Sequence, residues 1–430
     1  MPKPEEIPHI DFEAINFHKP LLGTLHAKFM VVDRKVAILE SNNMEDNDNV
    51  EMMAHVEGPI VDSLYDTALI TWGNAFKGTL PSANAPATAG GLPTSSDEPL
   101  FTDRGHGREQ QQVVVDGKAA QLPEHMPGDP HWDNNLPDEI TRMQSAYSAK
   151  PGESHLQAAN RQLNLAVKKG PIPPTGPEIP EGEEFTPYIA TSTPTSFPIA
   201  LVSRPAYGQP NNSNLFVPQN EAWLSCIRNA KRSIFIQTPN LNATPLLPAF
   251  TNALKRGVEI TYYVCLGYND AGEIMPGQGG TNEMFAGSLV KELGPAERRL
   301  LHIGYYVGKD QDHPIHHNFK QRSCHIKLLI ADGHIGIQGS GNQDTQSWFH
   351  SQEINCMIDS EQVCRKWREG IDRNQSTAIF GMAGVDDGVW RNHEGKEAEG
   401  SLGKPTPPMS WVKGVVGMAK KAKEKGGLGG

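Results

Sequence analysis

Two stretches of this chain carry the same side chains at the same spacing, 299 residues apart, and that repetition points to a fold built from two related halves. The first, "LHAKFMVVDRKVAILESNN" (25–43), holds His26, Lys28 and Asp33. The second, "SCHIKLLIADGHIGIQGSGNQD" (323–344), holds His325, Lys327 and Asp332 at the same offsets. In each, an apolar run broken by a turn predicts two short strands. Side chains alternate along a strand, so His26 and Lys28 share one face as a small cationic surface, while Asp33 falls on the other and is expected to support the turn. A single copy of this spacing means little, because about 0.05 chance matches are expected in a chain this long. The agreement runs further: Ser41 matches Ser340, Asn43 matches Asn342, and Glu51 in "NDNVEMM" matches Glu353 in "HSQEINC" with a displacement of three residues. Five positions in one frame and a sixth close to it read as a diverged internal repeat of one catalytic half.

These residues resemble the phospholipase D superfamily, whose two half-sites each supply a His-x-Lys-x4-Asp segment followed by Gly-Ser-x-Asn. The second copy fits that pattern throughout; in the first, Glu40 stands where the glycine is usual. The resemblance implies an α/β fold: two phospholipase D-like α/β/α sandwich halves with pseudo-twofold symmetry, the first half incomplete. It also implies His26 as nucleophile, His325 as general acid, and no metal or other cofactor.

The chemistry explains why these residue types are needed twice. A phosphodiester is anionic, so a site must neutralise its oxygens and supply both a nucleophile and an acid for the leaving alcohol. Lys28, Lys327, Asn43 and Asn342 offer cationic and amide donors, with Ser41 and Ser340 as supporting substrate-binding hydroxyls. One imidazole attacks phosphorus to give a phosphohistidine while the other donates a proton and later activates water. A side-chain pKa near 6.5 suits both tasks. Glu51 is expected to orient His26, and Glu353 to orient His325. The cluster His313, His316, His317 and Cys324 fits no usual zinc spacing and reads as a solvated loop.

Composition decides which partners are plausible. Acidic residues exceed basic ones for a net charge of −11, which argues against a nucleic-acid surface. The five cysteines, Cys226, Cys265, Cys324, Cys356 and Cys364, are scattered, as expected of reduced intracellular thiols. No signal peptide or transmembrane segment is evident, so the expected setting is cytoplasmic or peripheral to a membrane.

Four regions follow. Residues 1–77 read as the carboxyl-terminal remnant of a first half; only 25 residues precede His26, so roughly a hundred residues of strand and helix framework are missing relative to the second half, as in a truncated product. Residues 78–195 read as a Pro/Gly-rich linker or insert, partly disordered, in which "KKGPIPPTGPEIPEGEEFTP" has little to bury, "PDEITRMQSAYSAKPGESHLQAANRQLN" is partly helical and "GDPHWDNN" is a loop. Residues 196–385 alternate strand and helix and form a complete second half with a mixed or mostly parallel sheet. Residues 386–430 form a basic tail whose 409–425 segment has the make-up of an interfacial helix drawn to anionic lipid. The sequence thus predicts a phospholipase D-like phosphodiesterase acting on a phospholipid through phosphohistidine. The competing readings are a cardiolipin-synthase-like phosphatidyltransferase and an inactive, truncated interaction protein.

Overall fold

The computed structural model describes most of residues 3–73, the pairs 114–115 and 118–119, and most of 144–403. "GDPHWDNN" and the 409–425 segment lie outside the described residues.

After a short antiparallel pair, His18–Lys19 with Gly23–Thr24, the first half holds three antiparallel strands, β1 (Phe29–Val32), β2 (Val36–Glu40) and β3 (Met53–Glu57), followed by helix α1 (Ile60–Trp72). The turn between β1 and β2 places Asp33 and Arg34 at φ 52° and 55°. Its repeat-related turn places Asp332 and Gly333 at 52° and 81°, so the two copies agree in backbone as well as sequence. Asp332 also accepts hydrogen bonds from the backbone N–H groups of Lys231, Arg232 and Ser233, which ties its turn to a neighbouring strand.

The second half holds a seven-stranded sheet. Its strands are β4 (Ile199–Arg204), β5 (Ser233–Gln237), β6 (Glu259–Val264), β7 (Leu301–Tyr305), β8 (Leu328–Ala331), β9 (Ile335–Gly339) and β10 (Glu353–Asp359). They lie in the order β7-β6-β5-β8-β9-β10-β4. β5, β6 and β7 are parallel and the remainder antiparallel, so the sheet is mixed. The helices fall where the apolar periodicity puts them: α3 (Pro218–Asn229), α4 (Leu246–Lys255), α5 (Asn282–Glu292) and α6 (Glu361–Arg373), after α2 (His155–Leu163) in the insert. Trp223, Ile227, Phe250, Leu254, Phe285 and Leu289 close one apolar layer with Ile234, Ile260 and Leu329 of the sheet.

The other layer is shared between the halves. Ala37, Leu39, Val61 and Leu64 of the first half join Leu328, Ile330, Ile354 and Cys356 in one buried cluster. Burial of this kind stabilises by roughly 25 cal/mol per Å² of apolar surface, so the first half is held by the second rather than standing alone. Its outward face is less covered: Met30 and Met53 are 48% and 58% exposed, whereas the repeat-related Leu329 and Asn355 are 0% and 1% exposed.

Two local expectations are corrected. The Pro/Gly-rich stretch before residue 190 buries Ile179 and Phe185 against Ala159, and the N–H groups of Thr175 and Gly176 both donate to the Asp310 carbonyl at 3.0 Å. It is a strap rather than a chain with nothing to bury, because backbone hydrogen bonds and two large side chains suffice to dock it. The histidine-rich loop also packs inward: His316 is 1% exposed and Arg322 and Ser323 are buried. All five cysteines are buried and free. Among the described residues, no helix is long and apolar enough to cross a membrane.

Candidate active site

The two halves meet where their motifs exchange backbone bonds. His26 N donates to the Gln352 carbonyl at 3.0 Å, within a parallel bridge between Leu25 and Gln352. His325 N donates to the Val50 carbonyl at 2.8 Å, within a parallel bridge between Val50 and Cys324. The bridges are repeat-related: each His-x-Lys segment lies beside the residue that precedes the other half's glutamate.

That register crosses the carboxylates. His26 Nδ1 lies 2.9 and 3.0 Å from the Glu353 oxygens, and His325 Nδ1 lies 3.0 Å from both oxygens of Glu51. The expected pairing within each half is therefore corrected; the inter-half bridges, not sequence proximity, decide which carboxylate reaches which ring. In each case the carboxylate holds Nδ1 and leaves Nε2 as the nitrogen available for chemistry.

The serines hold the carboxylates. Ser41 Oγ donates to Glu51 at 2.5 Å and Ser340 Oγ to Glu353 at 2.6 Å, and both serines are 0% exposed. This corrects their assignment as substrate donors, since their protons are committed to the glutamates. Ser347 Oγ donates to the other Glu353 oxygen at 2.7 Å. Sequence reasoning missed Ser347, although "DTQS" is a readable helix start; the Asp344 side chain accepts from the Ser347 N–H at 2.7 Å.

The lysines repeat one another as well. Lys28 Nζ donates to the His26 carbonyl and Lys327 Nζ to the His325 carbonyl, each at 2.6 Å. Both are buried, Lys327 completely. Burial, against the pull of Glu51 and with the help of Lys28, brings Lys327 down to about 7. The asparagines differ. Asn342 is buried and donates to Asp344 Oδ2 at 3.1 Å, with its Oδ1 unpaired, whereas Asn43 is exposed. At Gly339 a Cβ would run into the Ile354 carbonyl and Asn355 backbone, so that position needs glycine. Its counterpart Glu40 pairs with the exposed Met53.

Burial and then Lys327 lower His325, against the opposing pull of Glu51, to about 4. Burial also pushes the Glu51 and Glu353 carboxyls up, but the histidines and lysines outweigh it, and both end below their ordinary value. His325 feels the charge of His26, and Lys327 that of Lys28 and Glu353, so the two motifs form one electrostatic site.

A stability prediction follows with a definite sign. With His325 near 4 in the folded chain and about 6.5 when unfolded, the unfolded chain binds more protons between those values. The stability this group supports is present above pH 6.5 and falls by about 3 kcal/mol as pH drops to 4. Urea unfolding across that window should show a shallower loss for His325→Asn than for wild type; superimposable slopes would refute the assignment.

Residues 223–374 match the family model described as cardiolipin synthase, PLD-like domain. Over these residues, which carry the complete second motif, the chain is similar to the phospholipase D superfamily. No curated protein matches it. Similar solved structures include Nuc, a phospholipase D family member from Salmonella typhimurium, at 17% identity over 41% of this chain and 94% of that one, with TM-score 0.30. Phosphatidylserine synthase from Haemophilus influenzae is 12% identical over 53% of this chain and 46% of that one, with TM-score 0.35. NucT from Helicobacter pylori is 13% identical over 44% and 99%, with TM-score 0.28. Among the described residues, no group of three or more His, Cys, Asp or Glu is placed to hold a metal ion.

Proposed function

We propose that this chain is a phosphodiesterase that opens glycerophospholipids at the headgroup phosphate through a phosphohistidine. The observation that carries the reading is the crossed pair of His–carboxylate units, each with its own buried lysine. In this reading Lys28 and Lys327 neutralise the phosphoryl oxygens, joined by Asn43 and Asn342. His26 is the more accessible imidazole, at 24% side-chain exposure against 7% for His325, which suits attack on phosphorus. As His26 Nε2 bonds to phosphorus, the P–O bond breaks and His325, in the doubly protonated form that the bound phosphate anion favours, gives its Nε2 proton to the leaving oxygen. Water then bonds to phosphorus, its proton passes to His325, and the N–P bond breaks.

The description of the matching family model supports a second reading, phosphatidyl transfer, in which a lipid alcohol replaces water. Purified protein incubated with phosphatidylcholine labelled in its phosphate, then quenched in base, should retain label that acid releases and that His26→Asn abolishes. Phosphatidic acid as product supports hydrolysis; a new phosphodiester formed with added glycerol or phosphatidylglycerol supports transfer. Absence of both label and turnover, with this lipid and with bis-p-nitrophenyl phosphate, would sink the proposal.

A further inference from the structure

One face of His325 is occupied by groups that neither motif contains. Gly267, at φ 73°, lies in the loop after β6, where a Cβ would collide with the His316 ring; the glycine therefore lets that ring seat against the loop. His317 N donates to the Leu266 carbonyl at 2.8 Å, which docks the histidine-rich loop beside Tyr268. The Tyr268 ring then stacks on His325, with centroids 5.9 Å apart and planes 22° apart, and lies 4.4 Å from the ring of His317. His317 Nδ1 lies 2.7 Å from Ser323 Oγ, and the Ser323 carbonyl accepts from Val50 N–H, next to Glu51. Tyr268 and His317 are half-buried, so part of each remains accessible to solvent.

We propose that Tyr268 and His317 form the alcohol-side wall of the site, Tyr268 positioning the His325 ring and the two together selecting the group carried by the oxygen that His325 serves. The inference rests on the phosphodiesterase reading for the identity of that oxygen. His325 gives a proton to the departing alcohol and takes one from the incoming hydroxyl, so whatever lines this ring lines the binding place of both. The charges around the wall indicate the class of alcohol. Glu51 lies 3.0 Å from Nδ1 of the His325 ring on which Tyr268 stacks, and burial above all, with the charges of Glu51 and Asp344 adding to it, keeps the Tyr268 phenol protonated. A negative potential beside a π surface favours ammonium-bearing or neutral alcohols over anionic ones.

The test is the partition of the phosphoenzyme between water and added alcohols. Transfer-to-hydrolysis ratios do not depend on how much of a preparation is folded. Wild type should prefer choline and glycerol to 3-hydroxypropanesulfonate. Tyr268→Leu and His317→Ala should each shift the choline-to-sulfonate preference by about tenfold, a pocket-contact effect, while Tyr268→Phe, which keeps the stack, should shift it less. Ratios within twofold of wild type in both Tyr268→Leu and His317→Ala would overturn the inference. A second measurement needs no turnover: choline titrated into wild type should displace the NMR ring signals of His317 and His325, and this displacement should vanish in Tyr268→Leu. If wild type shows no turnover yet choline moves both signals, the wall stands and the phosphodiesterase reading fails. If choline moves neither signal, the wall falls regardless of activity.

Discussion

Glu353→Gln should lower turnover of a p-nitrophenyl phosphodiester by about 10³- to 10⁴-fold, the scale expected when the group that orients a catalytic imidazole is lost. Glu51→Gln should behave differently, because the carboxylates cross. Glu353 holds His26, the proposed nucleophile, and Glu51 holds His325, the proposed acid. p-Nitrophenolate needs no proton to leave, so a chain with a misoriented His325 can still form the phosphoenzyme. Stopped-flow records of Glu51→Gln should show a burst of p-nitrophenolate followed by a stall, since His325 is still needed to activate water. Glu353→Gln should show no burst. Pairing within each half predicts the opposite assignment, with the burst surviving in Glu353→Gln. Replacement of either carboxylate also disturbs its serine partners, so the burst amplitude per folded molecule, rather than the rate alone, is the deciding quantity.

The largest effect on stability should come from Asp310. Arg322 donates through Nη1 to both Asp310 oxygens, at 2.8 and 2.9 Å, and the two side chains are 2% and 0% exposed. Asn164 and Asn160 of the insert complete the cluster, Asn164 Oδ1 accepting from Arg322 at 2.8 Å and Asn160 Nδ2 donating to Asp310 at 2.5 Å. Removing one member of such a pair strands the other charge, so Asp310→Ala should cost about 3–5 kcal/mol in chemical denaturation. Replacing both, as Asp310→Leu with Arg322→Met, should cost less because no charge is left stranded. A loss below about 1 kcal/mol for Asp310→Ala would show that the pair does not hold the loop. Arg322 adopts φ 54° three residues before His325, so loosening it should also reduce catalysis.

The repeat was readable because it is a matter of spacing. His26, Lys28, His325 and Lys327 keep a fixed frame, and the strand–turn–strand around each follows from local alternation. The mixed sheet was readable for the same reason, since every apolar run from Phe197 onward has the length and flanks of a strand or helix. The crossing of Glu51 and Glu353 was not. It depends on the Leu25–Gln352 and Val50–Cys324 bridges between distant segments, and no local pattern encodes which partner a segment will meet. Ser41 and Ser340 were read as substrate donors, whereas each donates to a glutamate; a hydroxyl serves a carboxylate or a phosphate equally well in sequence. Tyr268 and His317 belong to no motif, and their meeting depends on a glycine that admits a ring from another loop. The strap before residue 190 was hidden by its composition: proline and glycine suggest a chain with nothing to bury, yet its docking relies chiefly on backbone groups.

The crossed register also has a consequence during synthesis. The amino-terminal motif leaves the ribosome first, but the carboxylate that holds His26 is among the last of the site's residues to be translated. By contrast, His325 finds Glu51 already made. A nascent chain, or a fragment ending before residue 353, thus displays both histidines and both lysines while the proposed nucleophile lacks its carboxylate, and the proposed chemistry should stay silent until the second half is nearly finished.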